Sequence, residues 1–152
     1  MKILKKILLL LLVFVVLALI VVGIKIYYDV SKANILETRE RKEILTFANG
    51  KNIYIRAKVW GVAGNHEEIV FSENPITIPD KEKDYIFYTN EVVYKIENNI
   101  LRLYACDCDA SMPTIIFKDI EVIFKNLKTA DEIRDYNTNY QKYGLERISV
   151  YE

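Results

Sequence analysis

The sequence predicts a mainly β domain, an antiparallel sheet curled into a sandwich or open barrel with one C-terminal helix, carried behind an N-terminal transmembrane helix. Three observations support this. Apolar residues alternate with a period of two from Glu43 onward, as in strands with one buried face. Tight-turn pairs, Asn49-Gly50 and Asn98-Asn99, separate the alternating runs. Residues 7–24 read ILLLLLVFVVLALIVVGI, with no charge on any face.

Eighteen helical residues span about 27 Å, close to the hydrocarbon thickness of a bilayer. Lys2, Lys5 and Lys6 precede the run, so residues 1–6 are expected to form a basic cytoplasmic tail and residues 7–24 a single-pass span. A cleaved signal peptide is the other reading of such a segment. Its cleavage site would have to be Val21-Val22-Gly23, and the apolar run exceeds the 7–15 residues usual for a cleaved signal, so an uncleaved signal anchor is preferred. Lys25, Lys32 and Arg39 follow the span more thinly, which leaves the charge count nearly balanced. The short basic tail favours a C-terminal part outside the cytoplasmic (inner) membrane, and the opposite orientation is the other reading. Tyr27 and Tyr28 are expected at headgroup level as interfacial anchors.

Residues 25–42 are polar and lack Pro and Gly, and are expected to be a juxtamembrane stalk; residues 43–152 are the β-rich extracytoplasmic domain. "EILTFA" and "NIYIRAKVW" pair as a hairpin around Asn49-Gly50, with Ile53, Ile55, Ala57 and Val59 inward. Residues 61–65 turn, "HEEIVFSE" returns, and Pro75 and Pro79 end it. "YIFYT" follows a charged loop. "EVVYKIE" and "ILRLYA" form the next hairpin, where two asparagines suit the positive φ of a type I′ turn. "CDCDASMP" is a loop, and "TIIFKDIEVIFKNL" is another strand or a bent pair. Thr129 to Glu132 is a capping box that opens a helix with Ile133, Tyr136 and Tyr140 on one face and Gly144 at its end. "LERISVY" is a short closing strand.

Gly64-Asn65-His66-Glu67 is similar to a phrase of metal-dependent phosphoesterases. Such a site needs several histidines and aspartates. This chain has one histidine, no Asp-x-His and no Gly-Asp pair, so the phrase reads as turn chemistry, with Gly61 and Gly64 supplying positive φ. No catalytic residue, metal site or cofactor site is assigned, and the chain is not expected to be an enzyme.

Cys106 and Cys108 keep three readings open. They could ligate a soft metal with His66 or an aspartate, although no second Cys or His cluster exists. They could form a redox-active disulfide in an oxidising compartment. They could also be unpaired cysteines at a strand end, facing the same side. Trp60, Tyr54 and Tyr104 are candidate binding-surface residues, because Tyr and Trp are enriched at interfaces; β propensity with partial burial is the simpler account of them. The chain has 21 basic and 21 acidic residues, and three of the lysines precede the span. The remainder is therefore net acidic, without a basic stripe, and nucleic acid is excluded as a partner.

Trp60-Gly61-x-x-Gly64-Asn65-His66, the strand "EIVFS", and Tyr94-Lys95-x-Glu97-Asn98-Asn99-x-Leu101-x-Leu103-Tyr104 resemble small bacterial envelope proteins of unknown function, which pair an N-terminal membrane segment with a compact β-rich domain. The resemblance implies location and architecture but no activity. The functional expectation is a membrane-anchored domain with a non-catalytic binding or assembly role toward an unidentified envelope protein. An immunity or inhibitor-type protein acting at the membrane is one alternative, and an envelope thiol–disulfide protein using Cys106 and Cys108 is the other.

Overall fold

The computed structural model describes residues 11–12, 15–27, 38–61, 64–76 and 78–151. The chain divides into two units, Met1–Leu36 and Glu37–Glu152. In the first, residues 11–12 and 15–27 are helical (15–27 is α1), and each of them is exposed, including Leu19, Ile20 and Ile24. Residues 1–6, 7–10 and 13–14, Tyr28 and the stalk residues 29–37 lie outside the described residues. Among the described residues no helix is long and apolar enough to cross a membrane. Tyr27 is exposed.

The second unit is mainly β, with antiparallel sheets and a C-terminal helix. Sheet A has the order β1-β2-β3-β4-β7, built from β1 (Arg39–Thr46), β2 (Asn52–Trp60), β3 (His66–Ser72), β4 (Tyr85–Phe87) and β7 (Ala110–Ser111). Sheet B has the order β8-β6-β5-β9, with β5 (Glu91–Glu97), β6 (Ile100–Ala105), β8 (Glu121–Asn126) and β9 (Glu146–Ser149). The period-two pattern does what it predicts. Ile53, Ile55, Ala57 and Val59 of β2, Ile69 and Phe71 of β3, and Val92, Tyr94, Leu101 and Leu103 of sheet B join one buried cluster. Phe71 sits at its centre, its ring centroid 6.0 Å from that of Phe87 in sheet A and 6.0 Å from that of Tyr94 in sheet B. Each large side chain removed from water in this way contributes roughly 1.5–3 kcal/mol.

Turn chemistry fixes the registers. Thr46 pairs with Asn52 across a turn in which Gly50 has φ +77°. Glu97 pairs with Ile100, which leaves Asn98 and Asn99 as a two-residue loop. Only Asn98 takes positive φ there (56°), so the turn has the single positive φ of type II′ rather than the two expected for type I′. Asn99 instead uses its side chain, accepting the Asn49 amide at 3.0 Å, and the Asn98 carbonyl accepts the Ala48 amide at 3.4 Å. The two hairpin turns, one per sheet, are thereby tied together.

Four further expectations are corrected. β1 begins at Arg39, inside the segment expected as stalk, because Arg39 to Glu43 form a charged edge strand against β2. Of "TIIFKDIEVIFKNL" only Glu121–Asn126 is a strand; residues 114–120 are irregular. β8 runs parallel to β6, the one exception to antiparallel pairing among the described strands. The chain leaves β6, pairs with β4 as β7 in the other sheet, and returns to the β5–β6 turn, where the Glu121 amide donates to the Asn99 carbonyl, so β8 starts beside the start of β6. Helix α2 (Ala130–Asn139) has its Thr129 cap, with the Glu132 amide donating to Thr129 Oγ1 at 3.1 Å, but the Glu132 carboxylate caps the Lys128 amide rather than that of Thr129. Gly144 closes the following 3-10 turn with φ +64°.

Candidate binding surfaces and the cysteine pair

Strand parity decides where the three candidate aromatic residues point. Tyr54 and Trp60 alternate with the inward Ile53, Ile55, Ala57 and Val59, so both lie on the outer face of sheet A. Tyr104 alternates with Leu103 and Ala105 and lies on the outer face of sheet B. The structure therefore does not gather them into one platform. Tyr54 and Trp60 also stand about 20 Å apart along their strand, with Arg56 between them.

That outer face of sheet A is closed around Arg56 and along β3 and β4, and open along β1, where Ile44 is exposed. Arg56, 5% exposed, pairs with Glu68 at 2.6 Å and has Glu40 at 3.9 Å. Val70 and Ile86, opposite each other on the same face, are buried as well. Tyr54 lines a cavity of about 390 Å³ with Ile44, Arg56, Pro75 and Ile76. Trp60 stacks on the exposed His66, with centroids 5.6 Å apart, and the Lys58 ammonium lies 5.3 Å from its ring centroid. The glycines explain that arrangement: a Cβ on Gly61 would stand 2.3 Å from Asn65 Oδ1 and 2.8 Å from the His66 ring. Gly61 and Gly64 have φ of +93° and +67°. Among the described residues no group of three or more His, Cys, Asp or Glu side chains is placed to hold a metal ion.

Tyr104 has company that the sequence did not single out. Helix α2 lies on the outer face of sheet B, and Tyr136 stacks on Tyr104 with centroids 5.3 Å apart and planes 24° apart. Tyr143 continues the stack, 5.2 Å from Tyr136. The Lys125 ammonium lies 4.5 Å over the Tyr136 ring and donates to a Tyr136 hydroxyl at 2.6 Å, and that bond holds its pKa above the usual lysine range. The Tyr143 hydroxyl donates to Asp135 at 2.7 Å. This bond raises the tyrosine and lowers the carboxyl, which Asn139 also supports. The three rings border a concavity of about 390 Å³ together with Lys95, Glu97 and Arg102. Glu97 accepts from Lys95 at 2.7 Å and from Arg102 at 2.8 Å, and these two cations hold its carboxyl below the usual range. The spacing of seven between Tyr136 and Tyr143 is the one sequence signal for this cluster. Their meeting with Tyr104 depends on where α2 lands on the sheet.

Cys106 and Cys108 lie beyond the end of β6, at a one-turn 3-10 helix (Asp107–Asp109), not on a strand. The turn brings the side chains together, and the structure joins them in a disulfide with Cα atoms 5.3 Å apart. Cys106 is half-buried and Cys108 exposed. The Cys108 amide donates to Cys106 Sγ at 3.3 Å, while Asp109 Oδ2 lies 3.5 Å from Cys108 Sγ. The Asp107 amide donates to Asn126 Oδ1 at 3.1 Å and the Tyr88 amide to the Asp109 carbonyl at 2.7 Å, which fixes the turn against both sheets. The disulfide walls a cavity of about 210 Å³ whose floor includes Ala105, Leu127, Ile133, Glu91 and Asn137. No family model matches the chain, and neither does any curated protein or solved structure.

Proposed function

We propose that this chain is a single-pass membrane protein whose apolar run, residues 7–24, anchors it in the cytoplasmic membrane, with the β domain outside the cytoplasm as a non-catalytic binding or assembly module. The uncharged run supports the anchor, since its described residues are apolar and exposed on every side. Tyr27 and Tyr28 then sit at the interface, and the lysines of residues 2–6 hold the short tail inside.

The observation that carries the binding role is the Tyr104–Tyr136–Tyr143 stack on sheet B. Stacked rings are already ordered, so a partner packing on them meets a large contact surface at low conformational cost. The concavity beside them carries Lys95 and Arg102 against the single carboxylate of Glu97, which suits a protein partner bringing an acidic or aromatic side chain. The sheet A candidates, Tyr54 and Trp60, are the weaker ones, because they stand apart on their strand with the buried Arg56 between them.

The test is site-specific photocrosslinking in native membranes, with the reactive residue placed at Tyr143 or at Trp60. A discrete adduct from position 143, lost when Tyr136→Ala is combined with it, is expected; position 60 should give less or none. An adduct from position 60 but not from 143 would reject the sheet B surface, and absence of adducts from both would reject the binding role.

A further inference from the structure

We propose that the Cys106–Cys108 disulfide is an exchange site that is opened at Cys108 by a small cationic thiol, with Cys106 as the leaving sulfur. This goes beyond the binding role and does not rest on it. Three observations converge. Accessibility is unequal, since Cys108 is exposed and Cys106 half-buried. The hydrogen bonding is unequal in the same sense: the Cys108 amide already points at Cys106 Sγ at 3.3 Å and stabilises a thiolate there, whereas Asp109 Oδ2 at 3.5 Å opposes negative charge on Cys108 Sγ. A disulfide is attacked at the sulfur whose partner leaves more easily, and both features name Cys108 as that sulfur. Finally, the sulfurs wall a cavity of about 210 Å³, below the size of an ordinary small-molecule site and suited to a few heavy atoms against Ala105, Leu127 and Ile133.

Charge selects the thiol. Glu91 is paired with Arg147 at 3.4 Å, but among the described residues the carboxylates of Asp107 and Asp109 have no cationic partner. An incoming thiolate that carries an ammonium group offsets these charges; one that carries a carboxylate adds to them. In the step, the thiolate sulfur forms a bond to Cys108 Sγ, and the Cys106–Cys108 bond breaks. Its electron pair stays on Cys106 Sγ, which accepts the Cys108 amide hydrogen bond. The products are one mixed disulfide and one thiolate. A second thiolate attacking the mixed disulfide gives the dithiol protein and the oxidised small disulfide, with no other reductant needed.

The experiment uses the full chain in detergent. Before any thiol is added, alkylation should modify neither cysteine; two freely alkylated cysteines would overturn the proposal. The protein is then mixed with cysteamine, 2-mercaptoethanol or 3-mercaptopropionate at equal thiolate concentration. It is quenched in acid, alkylated and mapped by mass spectrometry. Each rate is divided by that thiol's own rate with a small neutral disulfide. The adduct is expected on Cys108, with alkylation on Cys106, and the normalised rates should fall by about tenfold from the cation to the anion. D109N should narrow that spread to about threefold while leaving the adduct position unchanged. An adduct mainly on Cys106, equal normalised rates for the three thiols, or no reaction over hours at millimolar thiol would each overturn the assignment.

Discussion

On the outer face of sheet A, Arg56 is buried between Glu68 and Glu40; on the outer face of sheet B, Arg102 and Lys95 hold Glu97 at the rim of an open concavity. Both arrangements come from the same strand alternation, in which every second residue points away from the core. The burial of the charges separates them. Pro75 and Ile76 share a cavity with Arg56, and Val70 and Ile86 are dry beside it. The sheet B charges instead face water and a ring of tyrosines. A charge removed from water depends on its partner for stability, and a solvated one does not. The buried pair is accordingly structural, and the charges on sheet B are left to water.

The largest effect expected from this contrast is on the buried pair. Glu68→Leu removes the shorter ion pair of Arg56 and should destabilise the domain by about 3 kcal/mol. The urea midpoint of the full chain in detergent measures it. A loss below about 1 kcal/mol would mean that Arg56 is solvated rather than buried.

A smaller effect is expected where the two layers meet. Tyr94 is buried against Phe71, and its hydroxyl donates to Glu146 at 2.9 Å. Burial first, and then the Glu146 carboxylate, push its pKa well above that of a free tyrosine. The folded state thus favours the protonated phenol. Its contribution is complete below about pH 10, the pKa in the unfolded chain, and is lost as pH rises from there toward the folded value. Tyr94→Phe should cost about 1 kcal/mol at pH 8 and flatten the fall in stability between pH 10 and 11. Tyr85, raised by burial, leaves a residual slope. An unchanged alkaline slope in the variant would remove Tyr94 from this role.

The smallest effect is expected at Glu97. Glu97→Gln should leave the urea midpoint where it is, because its partners Lys95 and Arg102 remain in water. If Glu97→Gln destabilised as much as Glu68→Leu, the division between a buried pair and solvated charges would fail.

Much of the β domain could be read along the chain. The alternation of Ile53, Ile55, Ala57 and Val59, the Asn-Gly and Asn-Asn turns, the Thr129 cap and the Gly144 stop are all local rules, and each places its element. Features decided at long range were hidden. Arg39 to Glu43 look like a polar stalk because an edge strand meets water along much of its length. The parallel entry of β8 depends on a detour through the other sheet. The tyrosine stack joins residues 104 and 136, far apart in sequence, and no local rule pairs a strand tyrosine with a helix one. For the cysteines, spacing allowed three outcomes, and the turn at Asp107–Asp109 is what brings the two sulfurs together.

Washing native membranes with alkaline carbonate tests the central claim most directly, because it strips peripheral proteins and leaves those held by an inserted helix. The full-length chain should remain in the membrane pellet. Recovery of the intact chain in the washed supernatant would contradict the anchor, and with it the placement of the β domain at the membrane.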